Sequence, residues 1–181
     1  MKKRILILLL LPLGGVVQAQ NWTIASGSTL GFETSFEGAP LQGSFKRFGG
    51  RISLDKQHPQ ACRFDVHIEL ASVHTGNPTG DKQVQSADFF DVAAHPEAHY
   101  QADRCSWNGK GPIDVQGFLT LRGVTKPVPL QATLQAGGKL SATATVNRLD
   151  FGVGQGQWSN GSIISAKIGI KAHLNLTKTP K

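Results

Sequence analysis

Cysteine, methionine and tyrosine are nearly missing from this chain, whose 181 residues include only two, one and one of them. The two cysteines, Cys62 and Cys105, do not form a Cys-x-x-Cys spacing, which argues against a redox dithiol. No Gly-x-Ser-x-Gly elbow is present, so a serine hydrolase would need an unusual nucleophile site. His95-Pro96-Glu97-Ala98-His99 has the wrong order for a His-Glu-x-x-His zinc helix, and Pro96 leads into a strand pattern. His67 and Glu69 fall on the polar face of a strand and read as solvated, with no Pro-Cys-x-x-Cys after them to make a deaminase. Gly152-Val153-Gly154-Gln155-Gly156 looks like a nucleotide loop, but no helix pattern follows to present its N-terminus to phosphate. It reads as a wide loop between strands. Asp88 and Asp91 flank Phe89-Phe90 and read as helix-end charges. Glycosylation triplets at Asn21, Asn160 and Asn175 carry little weight if the source is bacterial. No catalytic residue and no metal ligand is assigned.

A cationic patch is also lacking. Met1-Lys2-Lys3-Arg4, the apolar run Ile5 to Leu13 and the small-residue site Val17-Gln18-Ala19 form the three-part pattern of a secretory signal peptide. The run is short of the ~20 residues a membrane span needs, and no lipobox cysteine follows it. The mature chain is expected to begin at Gln20, with export to a bacterial periplasm. The leader holds three of the 19 Lys and Arg residues, so the remainder carries 16 against 12 acids, a net +4. Those cations are scattered, which excludes the clustered footprint of a nucleic-acid binder.

What the chain has in quantity is period-two alternation. Leu30, Phe32, Thr34 and Phe36 share one face; Phe64, Val66, Ile68 and Leu70 alternate with Arg63, Asp65, His67 and Glu69. Ala98, Tyr100 and Ala102 continue the pattern, as do Leu140, Ala142, Ala144 and Val146. The last run is Ile164, Ala166, Ile168, Ile170, Ala172 and Leu174. The stretch Asp114 to Leu130 reads as a hairpin with a bent, bulged entry, where Gly117 suggests a bulge, a bend or close backbone approach, and a turn over Arg122 to Pro127. Between Thr75 and Pro96 the regime changes, and Asp81 is placed as the cap of a short helix running to Ala87 or Phe90.

About eight strands with Gly and Pro turns between them predict an all-β chain, an antiparallel barrel or sandwich. The later strands offer mostly Ala on their apolar faces and the earlier ones Phe and Leu, which composition reconciles equally with a cavity or a solid core. Cys62 begins one strand and Cys105 ends the next long one, so antiparallel pairing in an oxidising compartment predicts a disulfide.

Taken in order, several short pieces carry a family resemblance. They begin with Trp22, Ser28-x-Leu30-x-Phe32 and Gly43-Ser44-Phe45-Lys46-Arg47-Phe48, followed by Gly50-Arg51-Ile52 and Asp81 through Ser86-Ala87-Asp88-Phe89-Phe90-Asp91. Pro96-x-Ala98-x-Tyr100, Gly117-x-Leu119-Thr120-Leu121-Arg122-Gly123-Val124-Thr125-Lys126-Pro127 and Arg148-x-Asp150-Phe151-Gly152-Val153-Gly154 complete the set. The chain from residue 20 to 181 resembles the YceI-like family of bacterial periplasmic, polyisoprenoid-binding, lipocalin-like barrels. Tyr100 stands where the family usually has Phe, and Ala102 where Ser is common.

The resemblance implies an extended eight-stranded antiparallel barrel with one short helix near an end. Its apolar tunnel would hold an isoprenoid lipid or an isoprenoid quinone, with no other cofactor. It also implies homodimers in some members, and the version ending in Trp158 is similar to members associated with cytochrome b561 membrane proteins. From the alternation, the apolar lining is expected to comprise Phe32, Phe36, Phe45, Val66, Ile68, Leu119, Leu121, Phe151 and Ile168. Phe89 and Phe90 are expected at the mouth. Lys46 or Arg47 could meet an anionic head group. The competing readings are an enzyme on a lipid or quinone using His95, His99 or Asp88, and a filled barrel that docks on a membrane cytochrome.

Overall fold

A computed structural model of the chain describes residues 20–179 apart from 56, 57, 59, 60 and 109. The expected signal peptide, residues 1–19, lies outside the described residues. The strands are β1 (Gln20–Ile24), β2 (Thr29–Phe36), β3 (Ala39–Phe45), β4 (Phe48–Leu54), β5 (Arg63–Glu69), β6 (Val73–His74), β7 (Glu97–Ser106), β8 (Ile113–Leu121), β9 (Val124–Gln135), β10 (Lys139–Asn147) and β11 (Lys167–Lys178). One helix, α1 (Pro78–Gln85), lies between β6 and β7.

The eleven segments make eight staves, because β1–β2, β3–β4 and β5–β6 are each the two halves of one bent strand. The register shows this: β1 pairs with β4 (Trp22 opposite Ile52) and β2 with β3 (Leu30 opposite Phe45), so the halves form one long hairpin. The bends are held by serines. Ser28 Oγ donates to the Ala25 carbonyl at 2.7 Å and accepts from Asn175 N at 2.9 Å. Ser72, buried between β5 and β6, accepts at its Oγ from Arg47 N at 3.0 Å, and its carbonyl accepts from Lys46 N at 3.0 Å.

Every stave runs antiparallel to its neighbours, and β11 closes the ring by pairing with β10 on one side and with β1 and β2 on the other. Closure removes the unpaired edges that would otherwise template aggregation. The architecture is the lipocalin-like eight-stranded barrel that the family resemblance implies, and it decides between the barrel and the sandwich that the strand count left open.

In the central hairpin the turn is shorter than the sequence pattern suggested. Only Arg122 and Gly123 form it, both at positive φ (52° and 74°), and β9 starts at Val124. Pro127 and Pro129 lie inside β9. They are tolerated because this part of β9 pairs with β8 alone; β10 joins only from Leu130 onward. The bulge also sits elsewhere than expected. The register slips on β7 between Ala102 and Arg104, next to Gly117 on β8. Gly117 itself serves close approach, since a Cβ there would lie 2.1 Å from the Tyr100 hydroxyl.

The helix differs at its start. Asn77 caps it by accepting from Thr79 N at 2.9 Å, with Pro78 at the first helical position, and it ends at Gln85. Asp81 falls in the first turn instead of at the cap. Phe89 and Phe90 follow in a series of turns.

The barrel has two unlike ends. At one, Cys62 and Cys105 form the expected disulfide; closing a loop of 43 residues is worth about 4 kcal/mol in the chain-entropy picture. Leu54, Ile113, Val115, Ala132 and Leu176 fill the lumen there, each buried. The other end carries α1, the turns after it and the long connection between β10 and β11.

Gly117→Ala should lower stability by about 1–3 kcal/mol, because the Tyr100 ring and the Gln101 carbonyl 2.9 Å from the new Cβ leave it no room. Urea unfolding followed by tryptophan fluorescence would measure this; an unchanged midpoint would show that the ring has somewhere else to go.

Candidate functional site

The inward positions of the staves enclose a cavity of about 250 Å³ towards the α1 end. Its walls are the alternating residues of nearly every strand. On one side stand Leu30, Phe32 and Phe45, then Phe64, Val66 and Ile68. β10 and β11, the latter paired with β2, present Ala142, Ala144 and Ala172, with Ile168 and Ile170. Ala142 is directly paired with Ala172, so two small side chains adjoin across the ladder and leave space that larger ones would fill. The lumen is therefore solid at the disulfide end and hollow at the other, an outcome that composition left open.

The α1 end is closed by side chains from outside the staves. Val84 of α1, Phe89, Phe90, Val153 and Ile164 all line the cavity. The Phe90 ring lies 5.9 Å from that of Phe45, which in turn lies 5.7 Å from Phe32; Phe89 packs on Trp158 at 5.6 Å. The segment carrying the two phenylalanines is tied down by backbone bonds: Gly154 N and Gln155 N both donate to the Asp88 carbonyl at 2.8 Å. Arg122, in the turn between β8 and β9, donates to the carbonyls of Ala87 and Phe89 at 2.5 and 2.6 Å.

Polar side chains on the lining are Thr34, Tyr100, Thr143 and Arg148. Tyr100 donates to the Val128 carbonyl at 3.1 Å, and burial pushes its phenol well above the ordinary range. Thr34 donates to Lys167 O at 3.3 Å. Thr143 is largely exposed.

Arg148 is the unusual member. It is 3% exposed, and its guanidinium donates to five carbonyls: Ser165 from Nε at 3.1 Å, Val153 from Nη1 at 2.7 Å, and Trp158, Asn160 and Ile164 from Nη2 at 2.8–2.9 Å. Burial lowers its pKa, yet the carbonyl dipoles supply what a counter-ion would. A Cβ at Gly154 would sit 2.2 Å from Nη1, so only glycine admits the fork. Arg148 thus folds the connection between β10 and β11 over the barrel mouth and keeps its charge from offering a free donor to the cavity.

Of the residues expected to line the lumen, Phe32, Phe45, Val66, Ile68, Leu119, Leu121 and Ile168 do, and Phe89 and Phe90 join them at the mouth. Phe36 and Phe151 do not. Phe36 is 38% exposed, at the turn into β3, where it bridges to Ile164. Phe151 is 2% exposed but sits in the short 3₁₀ turn Arg148–Phe151, packed in the core outside the cavity. Both misplacements have one cause: alternation locates a face only where the strand continues.

Arg148, Phe64 and Val84 were missed as lining residues. The Arg-x-Asp-Phe-Gly motif was visible, but nothing local says that an arginine will point inwards. The residues of the enzyme reading do not converge on the cavity. His99 faces outwards between Ala98 and Tyr100, and neither His95 nor Asp88 lines it. Arg47 is engaged by Glu69 in a two-pronged pair, both contacts 2.5 Å, on the barrel's outer surface. Lys46 is exposed.

The YceI-like domain family matches residues 22–176. The chain belongs to the YceI family. A UPF0312 protein of Pseudomonas savastanoi pv. phaseolicola is 37% identical over 122 residues, and the match spans 62% of this chain and 64% of that one, a little under two-thirds of the relative's length. BcnA of Burkholderia cenocepacia has a similar structure, with TM-score 0.75 and 26% identity over 85% of this chain and 99% of its own. A polyisoprenoid binding domain from Saccharophagus degradans implicated in plant cell wall breakdown shares the fold at TM-score 0.66 and 15% identity, over 90% of this chain and all of its own.

Two predictions concern the mouth of the YceI barrel. Arg148→Met removes the donors of five carbonyls and should cost about 3 kcal/mol or more, while Arg148→Lys recovers little, lacking the planar fork. Wild-type-like urea midpoints in both would refute the role of the guanidinium. The second involves Asp81, whose carboxylate is held below its ordinary range first by the Thr75 hydroxyl, then by Thr75 N–H and His74. A depressed folded pKa stabilises above the unfolded value of about 4 and is lost as pH falls through the folded one. Amides around residues 75–85 should therefore lose protection, relative to their intrinsic exchange rates, as the pH falls into the acid range, and Asp81→Asn should flatten that dependence.

Proposed function

We propose that this protein is a periplasmic binding protein that sequesters or carries an isoprenoid lipid or isoprenoid quinone in the barrel cavity. The observation that carries the reading is chemical. The cavity is walled by hydrocarbon, and its two buried polar side chains, Tyr100 and Arg148, are already satisfied by backbone carbonyls. Such a site has nothing with which to recognise a polar ligand and everything needed for an apolar chain. Each methylene transferred from water is worth about 0.8 kcal/mol. That the Saccharophagus neighbour is a polyisoprenoid binding domain supports the ligand class.

We read the role as binding, because the described lining of the lumen is almost wholly hydrocarbon. The head group remains at the α1 end, beside Phe89 and Phe90. An exported carrier of this kind exchanges its lipid with a membrane partner, for which a cytochrome b561-type protein is our candidate, and a homodimer is the assembly we expect.

Native mass spectrometry of protein purified from its own host, followed by organic extraction, should find one isoprenoid or quinone per chain. Ala144→Trp, which fills the hollow side of the lumen, should lose that mass while keeping a cooperative thermal transition. A clean apo mass for the wild type, unchanged after incubation with such lipids, would overturn the reading.

A further inference from the structure

On the outer wall, β5 and β7 place His67 directly opposite His99, with Asp65 two residues before His67 on β5 and Glu97 two before His99 on β7. The two imidazoles stack, centroids 4.0 Å apart and planes inclined by 18°. Stacked rings on neighbouring strands aim the same ring nitrogen in the same direction. Asp65 Oδ1 lies 2.6 Å from His99 Nε2 and 3.3 Å from His67 Nε2, so three donor atoms converge on one point. All lie within 4.8 Å of one another.

From this geometry we propose that Asp65, His67 and His99 form a binding site for a divalent first-row transition metal of the Zn²⁺ or Cu²⁺ class. The ligand set decides the class. Two imidazoles and one carboxylate suit borderline cations, whereas Ca²⁺ and Mg²⁺ want six or more oxygens. Metal–nitrogen and metal–oxygen bonds of about 2.0–2.2 Å put tetrahedral ligand atoms about 3.3 Å apart. The Asp65–His67 separation already has that value, and the Asp65–His99 pair needs to open by about 0.7 Å from hydrogen-bond to ligand spacing. Three protein ligands leave a fourth position facing solvent, which water fills.

Glu97 supplies the support such a site requires. Its Oε1 lies 2.7 Å from His67 Nδ1, the nitrogen turned away from the convergence point. A carboxylate accepting from the far nitrogen fixes the tautomer that leaves Nε2 free to ligate. The strands themselves are fixed by ladder pairing on both sides, and their inward residues Val66 and Tyr100 are cavity wall. A bound cation would therefore clip the barrel wall from outside. Arg51, opposite Asp65 on β4, and Arg63 are exposed cations nearby, so the affinity belongs in the micromolar range and not lower. The site is independent of whether the cavity holds a lipid.

Isothermal titration of the full-length secreted protein with Zn²⁺ alone, in metal-free buffer near neutral pH, tests the proposal. One Zn²⁺ per chain is expected, with Ca²⁺ giving no heat. His67→Gln, His99→Gln and Asp65→Asn are surface changes that should keep the thermal transition and abolish the titration. Glu97→Gln should weaken it by roughly tenfold or more. Added Zn²⁺ should raise the unfolding temperature of the wild type and leave that of His67→Gln unchanged. Absence of binding at 100 µM Zn²⁺ (about 50-fold over protein), equal heat with Ca²⁺, or wild-type titration in the two histidine variants would each overturn the site. The last would place the metal on other histidines.

Discussion

Everything in this molecule depends on β11 having partners on both edges. One strand of 12 residues pairs with β10 along one side and with the two halves of the first bent strand along the other. Without that closure the sheet has two free edges and no inside. With it, each alternating residue is committed to lumen or solvent, and a slip of one position would turn a whole apolar face outwards. The bend held by Ser28 follows from the same constraint, since it lies between the two halves that pair with β11.

Closure alone makes a filled barrel as readily as a hollow one. The difference lies in which residues meet across the lumen. At the disulfide end large aliphatic side chains from several staves fill the space; towards α1 the alanines of β10 and β11 leave it open. The open end is then covered by pieces that are not strands. Arg148 gathers five carbonyls of one connection, Arg122 ties down the segment with Phe89 and Phe90, and Trp158 packs between the two. Arginines that elsewhere mark ligand recognition are here consumed in building the cover. The result is an apolar cavity under a cap stitched by polar contacts.

The outer wall uses the same register for a different end. Cross-strand pairing that sets Val66 against Tyr100 on the inside sets His67 against His99 one position along on the outside. In the sequence His67 reads as solvated, because His99 is 32 positions further on and becomes its neighbour only through the strand pairing. Neighbouring positions on a barrel wall become visible only when the pairing partner is known.

By itself, the sequence determined the fold class, the number of staves, the disulfide and most of the inward-facing set, because each is a local consequence of period-two patterning and turn chemistry. It also carried the family. Only the tertiary structure decided that Phe36 leaves the lumen and Phe151 packs beside it, that Gly117 makes room for Tyr100, and that Arg148 turns inwards to a cage of carbonyls. These depend on which backbone lies opposite a given side chain, a property of closure and not of the residue or its neighbours in the chain. Whether the barrel is hollow belongs to that second group, since a cavity is defined by the side chains that face one another across it.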